Sequence, residues 1–106
     1  MGGDPVLYRA VVELALPILA DWNAAFSSAL ASGQRDDAYR LAHDLKGMSA
    51  MIGADALSAH AEHLQNQLRD SPVDSSEAQA AVVRALIDAE RGLRRWLAQQ
   101  GNDHDP

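Results

Sequence analysis

Leu41, Leu45, Met48 and Ile52 recur at helical spacing before Gly53, and Leu57, Ala61, Leu64 and Leu68 do the same after it. Each set draws one apolar stripe down a helix. The connection between them is so short that the two amphipathic helices must fold back antiparallel. Their stripes need a core that two helices cannot close, so the rest of the chain has to supply further helices.

It does so in order. Pro5 suits a first helical position, and Leu7, Ala10, Val11 and Leu14 predict a short helix over 5–15. Pro17 interrupts that pattern, which predicts a break or kink and a new helix from about Leu16 or Pro17 to Ser32. Leu19, Trp22, Phe26, Ala29 and Leu30 turn inward there, and Gly33 is a left-handed stop. Asp36 and Asp37 place negative charge in the first turn of the next helix, where the dipole favours it. Asp55 serves the start of the helix after Gly53 in a similar way. Ser71 to Ser76 reads as a loop, with Pro72 ending one helix and Asp74 to Glu77 forming a capping-box pattern for the next. Val82, Leu86, Ala89, Leu93, Trp96 and Leu97 make the last inward face, which ends near Gly101. The expectation is an all-α, antiparallel up-down four-helix bundle with a short additional N-terminal helix. Its domain spans 5–100, between a flexible N-terminus or expression remnant over 1–4 and a disordered tail over 101–106.

Composition agrees with this reading and narrows it. The 106 residues suffice for one domain with one core. Hydrophobic residues make up 47%, with alanine and leucine dominant and few aromatic or β-branched residues, which favours helices over sheets. With no cysteine, a disulfide scaffold and thiolate metal sites are excluded. A net charge of -6 and scattered basic residues argue against nucleic acid as a partner. No apolar run reaches the roughly 20 residues needed to span a bilayer, so the expectation is a soluble, cytoplasmic domain without membrane contact.

One patch of the central helix stands apart from its stripe. At 100° per residue, Lys46, Gly47 and Ala50 fall within about 60° of His43 on the solvent side, with Tyr39 nearby. A glycine inside a helix costs up to about 1 kcal/mol relative to alanine, and the stripe offers no reason for Gly47. Close approach by another molecule is such a reason. A neutral imidazole is a good nucleophile near neutral pH, and a lysine one turn away offsets charge on an anion held beside it. The patch therefore reads as a histidine displayed for a visiting phosphoryl group.

The run His43-x-x-Lys46-Gly47-x-Ser49-x-x-x-Gly53-x-x-x-Leu57 resembles the signature of histidine-containing phosphotransfer (HPt) domains. Such domains are about this long, all-helical and built on an antiparallel four-helix bundle. The resemblance implies that His43 takes a phosphoryl group from a phosphoaspartate on a response-regulator receiver domain and passes it to another receiver, or returns it. It implies phosphoryl-stabilising roles for Lys46 and for Gln65, which sits at the matching spacing on the following helix with Gln67 close by. Tyr39, Gly47, Ala50 and Met51 would furnish the partner-docking face, and Ser49, Gly53 and Leu57 the structural part of the motif. No cofactor of its own is implied, since the receiver brings its own Mg²⁺. No nucleotide-binding loop is visible, which makes the domain a phosphotransfer intermediate without autonomous kinase activity. The domain either stands alone or closes the C-terminal end of a hybrid sensor histidine kinase, as many such relatives do.

Other readings belong beside this one. The same small-residue patch would serve a docking or scaffold bundle without chemistry. His60 and His63, with Glu62 between them, are a candidate metal pair, although His60 falls at the edge of its helix's stripe and His63 further out. Ser49 suits either a backbone hydrogen bond within its helix or a phosphate contact. Trp22, Phe26 and Trp96 read as core packing. The polar exposed faces predict a monomer.

Overall fold

A computed structural model describes residues 5–70 and 74–102, together with the side chains up to residue 100. It contains four helices: α1 (Pro5–Ala31), α2 (Arg35–Met51), α3 (Asp55–Arg69) and α4 (Ser76–Asn102). Each packs on its chain neighbours and α4 returns to α1, closing an up-down bundle with the α2/α3 interface the most extensive. The all-α four-helix architecture is the one the spacing predicts.

The two tight turns have one construction. Gly53 has φ +79°, its N–H donates to the Ala50 carbonyl at 3.2 Å, and the Ala54 N–H reaches back to the Ser49 carbonyl at 2.8 Å. Gly33 repeats this at φ +73°, with its N–H on Leu30 and that of Gln34 on Ala29. Only a residue without Cβ enters this left-handed region freely, and the paired bonds satisfy carbonyls that the helix end would leave open. Both glycines are therefore the expected stops. The helices that follow start without a side-chain cap from Gln34 or Ala54, leaving Asp36, Asp37 and Asp55 in the first turns to face the dipole.

Pro17 does not divide the first helix. The separate N-terminal helix predicted over 5–15 is the beginning of one continuous 27-residue α1. Proline removes one N–H and crowds the carbonyl four residues back, that of Glu13. Both Glu13 and Pro17 are exposed, so water can satisfy that carbonyl, while Val12, Ala15, Leu16 and Leu19 are buried on the other side and hold the helix together. Continuity also changes which residues are inside. Of the predicted apolar face only Val11 packs on the core; Leu7, Ala10 and Leu14 are exposed, and Tyr8 and Val12 face the bundle beside Val11.

On α2 the buried line is Ala38, Ala42, Leu45 and Ser49, continued by Ile52, whereas Leu41 and Met48 flank it half-buried. Leu57, Ala61, Leu64 and Leu68 are buried on α3 as predicted. Trp22 and Phe26 lie in the core, stacked at 4.7 Å between ring centroids, and half-buried Trp96 meets Tyr8 edge-on at 4.9 Å.

Hydrogen bonds from side chains to carbonyls of a facing helix or its cap set the register. Tyr8 Oη donates to Ile52, Trp22 Nε1 to Leu41, Arg35 Nε to Leu68 and Ser58 Oγ to Lys46, at 2.8, 2.9, 2.9 and 3.1 Å. Such bonds contribute about 1 kcal/mol each, and they fix which turn of one helix meets which turn of the next.

The start of α4 differs in detail from the predicted capping box. Asp74 accepts from both the Ser76 N–H (3.0 Å) and the Ser76 hydroxyl (2.7 Å), so the aspartate caps through Ser76 and Glu77 simply sits in the first turn. These two bonds hold the Asp74 carboxyl below its ordinary value. Pro72 lies outside the described residues. At its other end α4 continues through Gly101 to Asn102, past the predicted end of the domain, and 1–4 and 103–106 lie outside the described residues.

Although the sequence suggested no run able to span a bilayer, α1 is long and apolar enough to do so. Its inner face is occupied by the bundle core, from Val12 to Ala29.

Candidate functional site

The inward line of α2 decides what its outer side displays. With Ala42 and Leu45 buried, His43 points to solvent near the middle of the helix. Gly47 and Met51 follow at intervals of four and are exposed, and Ala50 is exposed beside them. A Cβ built on Gly47 would meet no heavy atom within 4 Å. No packing among the described residues asks for glycine there.

Tyr39 and Lys46 lie on the other flank of His43, toward α3, and both are half-buried. The Lys46 ammonium is 3.4 Å from Glu62 Oε2, with 38% and 54% of the two side chains exposed. An ion pair this open is worth about 0.5 kcal/mol, so the lysine is readily drawn to a stronger anion. Gln65 is only 8% exposed, and its Nε2 donates to Tyr39 Oη at 3.0 Å across the α2/α3 interface. Its carbonyl oxygen Oε1 is buried without a hydrogen-bond partner among the described residues. Gln67 is half-buried and contacts His63 on its own helix, so Gln65 is the one aimed at α2.

Ser49 is fully buried, and its hydroxyl donates to the Leu45 carbonyl at 2.6 Å. That leaves it in the packing of α2, which resolves its two readings in favour of the backbone bond. Leu57 is buried in the first turns of α3. His60 and His63 are exposed, and no cluster of three or more His, Cys, Asp or Glu side chains converges among the described residues.

Two features near His43 escaped the sequence reading. The first is Arg40, one turn before His43. It lines a shallow depression with Asp36, Tyr39 and His43 and has no ion-pair partner among the described residues. Its i, i+3 spacing to His43 was a visible signal. The second is an apolar strip on α1. Ala25 and Ala29 share a depression with Asp37, Leu41 and Asp44 of α2, which identifies the side of α1 that borders α2. Leu7, Leu14 and Ile18 fall within about 20° of Ala25 on the helical wheel and are exposed, Leu14 by 72%. Met51, 67% exposed, follows Asp44 by seven residues and lies on the matching side of α2. The apolar strip thus borders the edge of α2 that carries Gly47 and Met51. Reading Leu14 as a core residue concealed it.

The model of one protein family, described as Hpt domain, matches residues 10–93. The chain belongs to the Hpt domain family. Membership carries histidine phosphotransfer in phosphorelays as the general activity, with response-regulator receiver domains as the interacting class. No curated protein and no solved structure matches the chain. In this Hpt domain the matched span runs from Ala10 of α1 to Leu93 of α4 and includes Leu14, Ile18 and the whole His43 patch.

Proposed function

We propose that His43 is the phosphoacceptor, taking a phosphoryl group from a receiver-domain aspartate and passing it to, or receiving it back from, another receiver. The observation that carries this reading is an exposed imidazole at mid-helix beside Gly47, a glycine without an internal packing role, inside the span matched by the Hpt family.

In the forward step the Nε2 lone pair of neutral His43 attacks phosphorus, the P–O bond to the aspartate breaks, and the carboxylate leaves. Onward transfer reverses the roles, with a second carboxylate attacking and the imidazole leaving. The reaction depends on in-line placement and charge stabilisation, which a rigid bundle supplies by holding one histidine proud of its surface. The receiver brings the divalent cation held by its own acidic site. Lys46 leaves its weak pairing with Glu62 to meet the phosphoryl oxygens. Gly47 and Ala50 give the receiver's rim close access, and Tyr39, Met51, Leu14 and Ile18 provide area around it. The domain works in the cytoplasm, as a monomer, either alone or attached to a hybrid kinase.

The test is transfer from a radiolabelled phospho-receiver, with His43→Gln alongside. Acid-labile, base-stable label on the native protein and none on the variant is the expected result. Equal labelling of His43→Gln would move the acceptor elsewhere, and binding of a receiver without labelling would make the bundle a docking module.

A further inference from the structure

We propose that the Tyr39 hydroxyl, rather than the Gln65 amide, contacts the phosphoryl group on His43, and that Gln65 acts through Tyr39; this rests on the phosphotransfer reading of His43.

Three observations converge. Gln65 is more than nine-tenths buried, its amide nitrogen is spent on Tyr39 Oη at 3.0 Å, and its other polar atom is a carbonyl oxygen that would repel an anion. Tyr39 Oη accepts that bond, and its own hydrogen has no acceptor among the described residues. Tyr39 also lines the same depression as His43, together with Asp36 and Arg40.

Helix geometry supplies the direction. Side chains lean toward the N-terminus of their helix, so a helical residue covers the turn before its own Cα. His43 therefore leans over Tyr39 and Arg40, and residues four apart are neighbours on the helix surface. A phosphoryl group on its ring adds about two negative charges and three acceptor oxygens to that turn. The free O–H of Tyr39 is the neutral donor available there, and accepting a bond from Gln65 polarises it toward donation. Gln65, level with Tyr39 across the interface, orients the hydroxyl without reaching the surface.

Phosphoramidate, a small donor, tests this independently of any receiver: its P–N bond breaks, an Nε2–P bond forms on His43, and ammonia leaves. Loading is followed by phosphorus NMR on the native protein and on Tyr39→Phe, Gln65→Leu, the double variant and His43→Gln, with thermal melts in parallel. Tyr39→Phe is expected to load about tenfold more slowly, the loss of one hydrogen bond to a charged group, and to shift the phosphohistidine resonance. It also leaves the buried Gln65 amide unpaired and lowers the melting temperature, which the double variant, lacking both partners, restores while loading stays slow. Gln65→Leu should slow loading by about threefold in the native background and have no effect in the Tyr39→Phe background, as coupled sites do. Native rate and resonance in Tyr39→Phe would overturn the proposal, as would a full Gln65→Leu effect without the hydroxyl. A native protein that loads no better than His43→Gln would instead overturn the phosphoacceptor reading beneath it.

Discussion

At the scale of single residues, Gly47 separates stability from function. It is a helix-interior glycine facing open space, so Gly47→Ala should stabilise the fold by about 0.5–1 kcal/mol in urea titration. In the proposed docking the same methyl group stands where a receiver approaches, and transfer from a phospho-receiver should fall about fivefold or more, the effect of overpacking a close contact. Gly92 is the matched control. It too lies within a helix with nothing within 4 Å of a built Cβ, and Gly92→Ala should stabilise without slowing transfer. An equal loss in both variants would refute the close-approach explanation. The exposed patch of His43 and Gly47 was legible in sequence because it is set by residue type and spacing along one helix. The Gln65–Tyr39 bond was not, because it joins residues on two helices, and its donor and acceptor become evident only when the interface is formed.

At the scale of elements, α1 shows what local rules miss. A proline in a helical pattern signals a break, and Pro17 was read so. The rule holds when nothing else pays for the strain, but here four buried residues from Val12 to Leu19 span the site and the freed carbonyl faces water. Pro17→Ala should therefore stabilise the protein by about 2 kcal/mol, the interior proline penalty less the entropy lost from the unfolded chain. The check is the urea midpoint at unchanged helical circular dichroism; an unchanged or lower midpoint would show that Pro17 sets a bend the packing needs. The glycine stops were legible for the opposite reason. A left-handed turn is a property of a few adjacent residues, and Gly33 and Gly53 announce it without reference to the core.

At the scale of the whole molecule, continuity of α1 sets the shape of the proposed docking face. A break at Pro17 would have turned Leu14 inward, whereas the continuous helix carries Leu7, Leu14 and Ile18 along the edge beside Met51. Leu14→Glu should leave the melting temperature nearly unchanged, since the side chain is 72% exposed. It should weaken receiver binding by about tenfold, the range of an interface anchor, while phosphoramidate loading of His43 stays native. Native receiver affinity in this variant would remove α1 from the interface. The bundle itself was legible because up-down helices meet their neighbours in chain order, so each stripe needs only the next one.

The placement of the two tryptophans gives the protein its own optical labels. Trp22 is buried, stacked on Phe26 and hydrogen-bonded to Leu41, so its emission is expected to be blue-shifted and sheltered from dissolved quenchers. Trp96 is half-buried against Tyr8, where the first turns of α1 meet the last turns of α4, and it remains open to quenching. Fluorescence thereby distinguishes fraying of the paired helix ends from loss of the core, without an added dye.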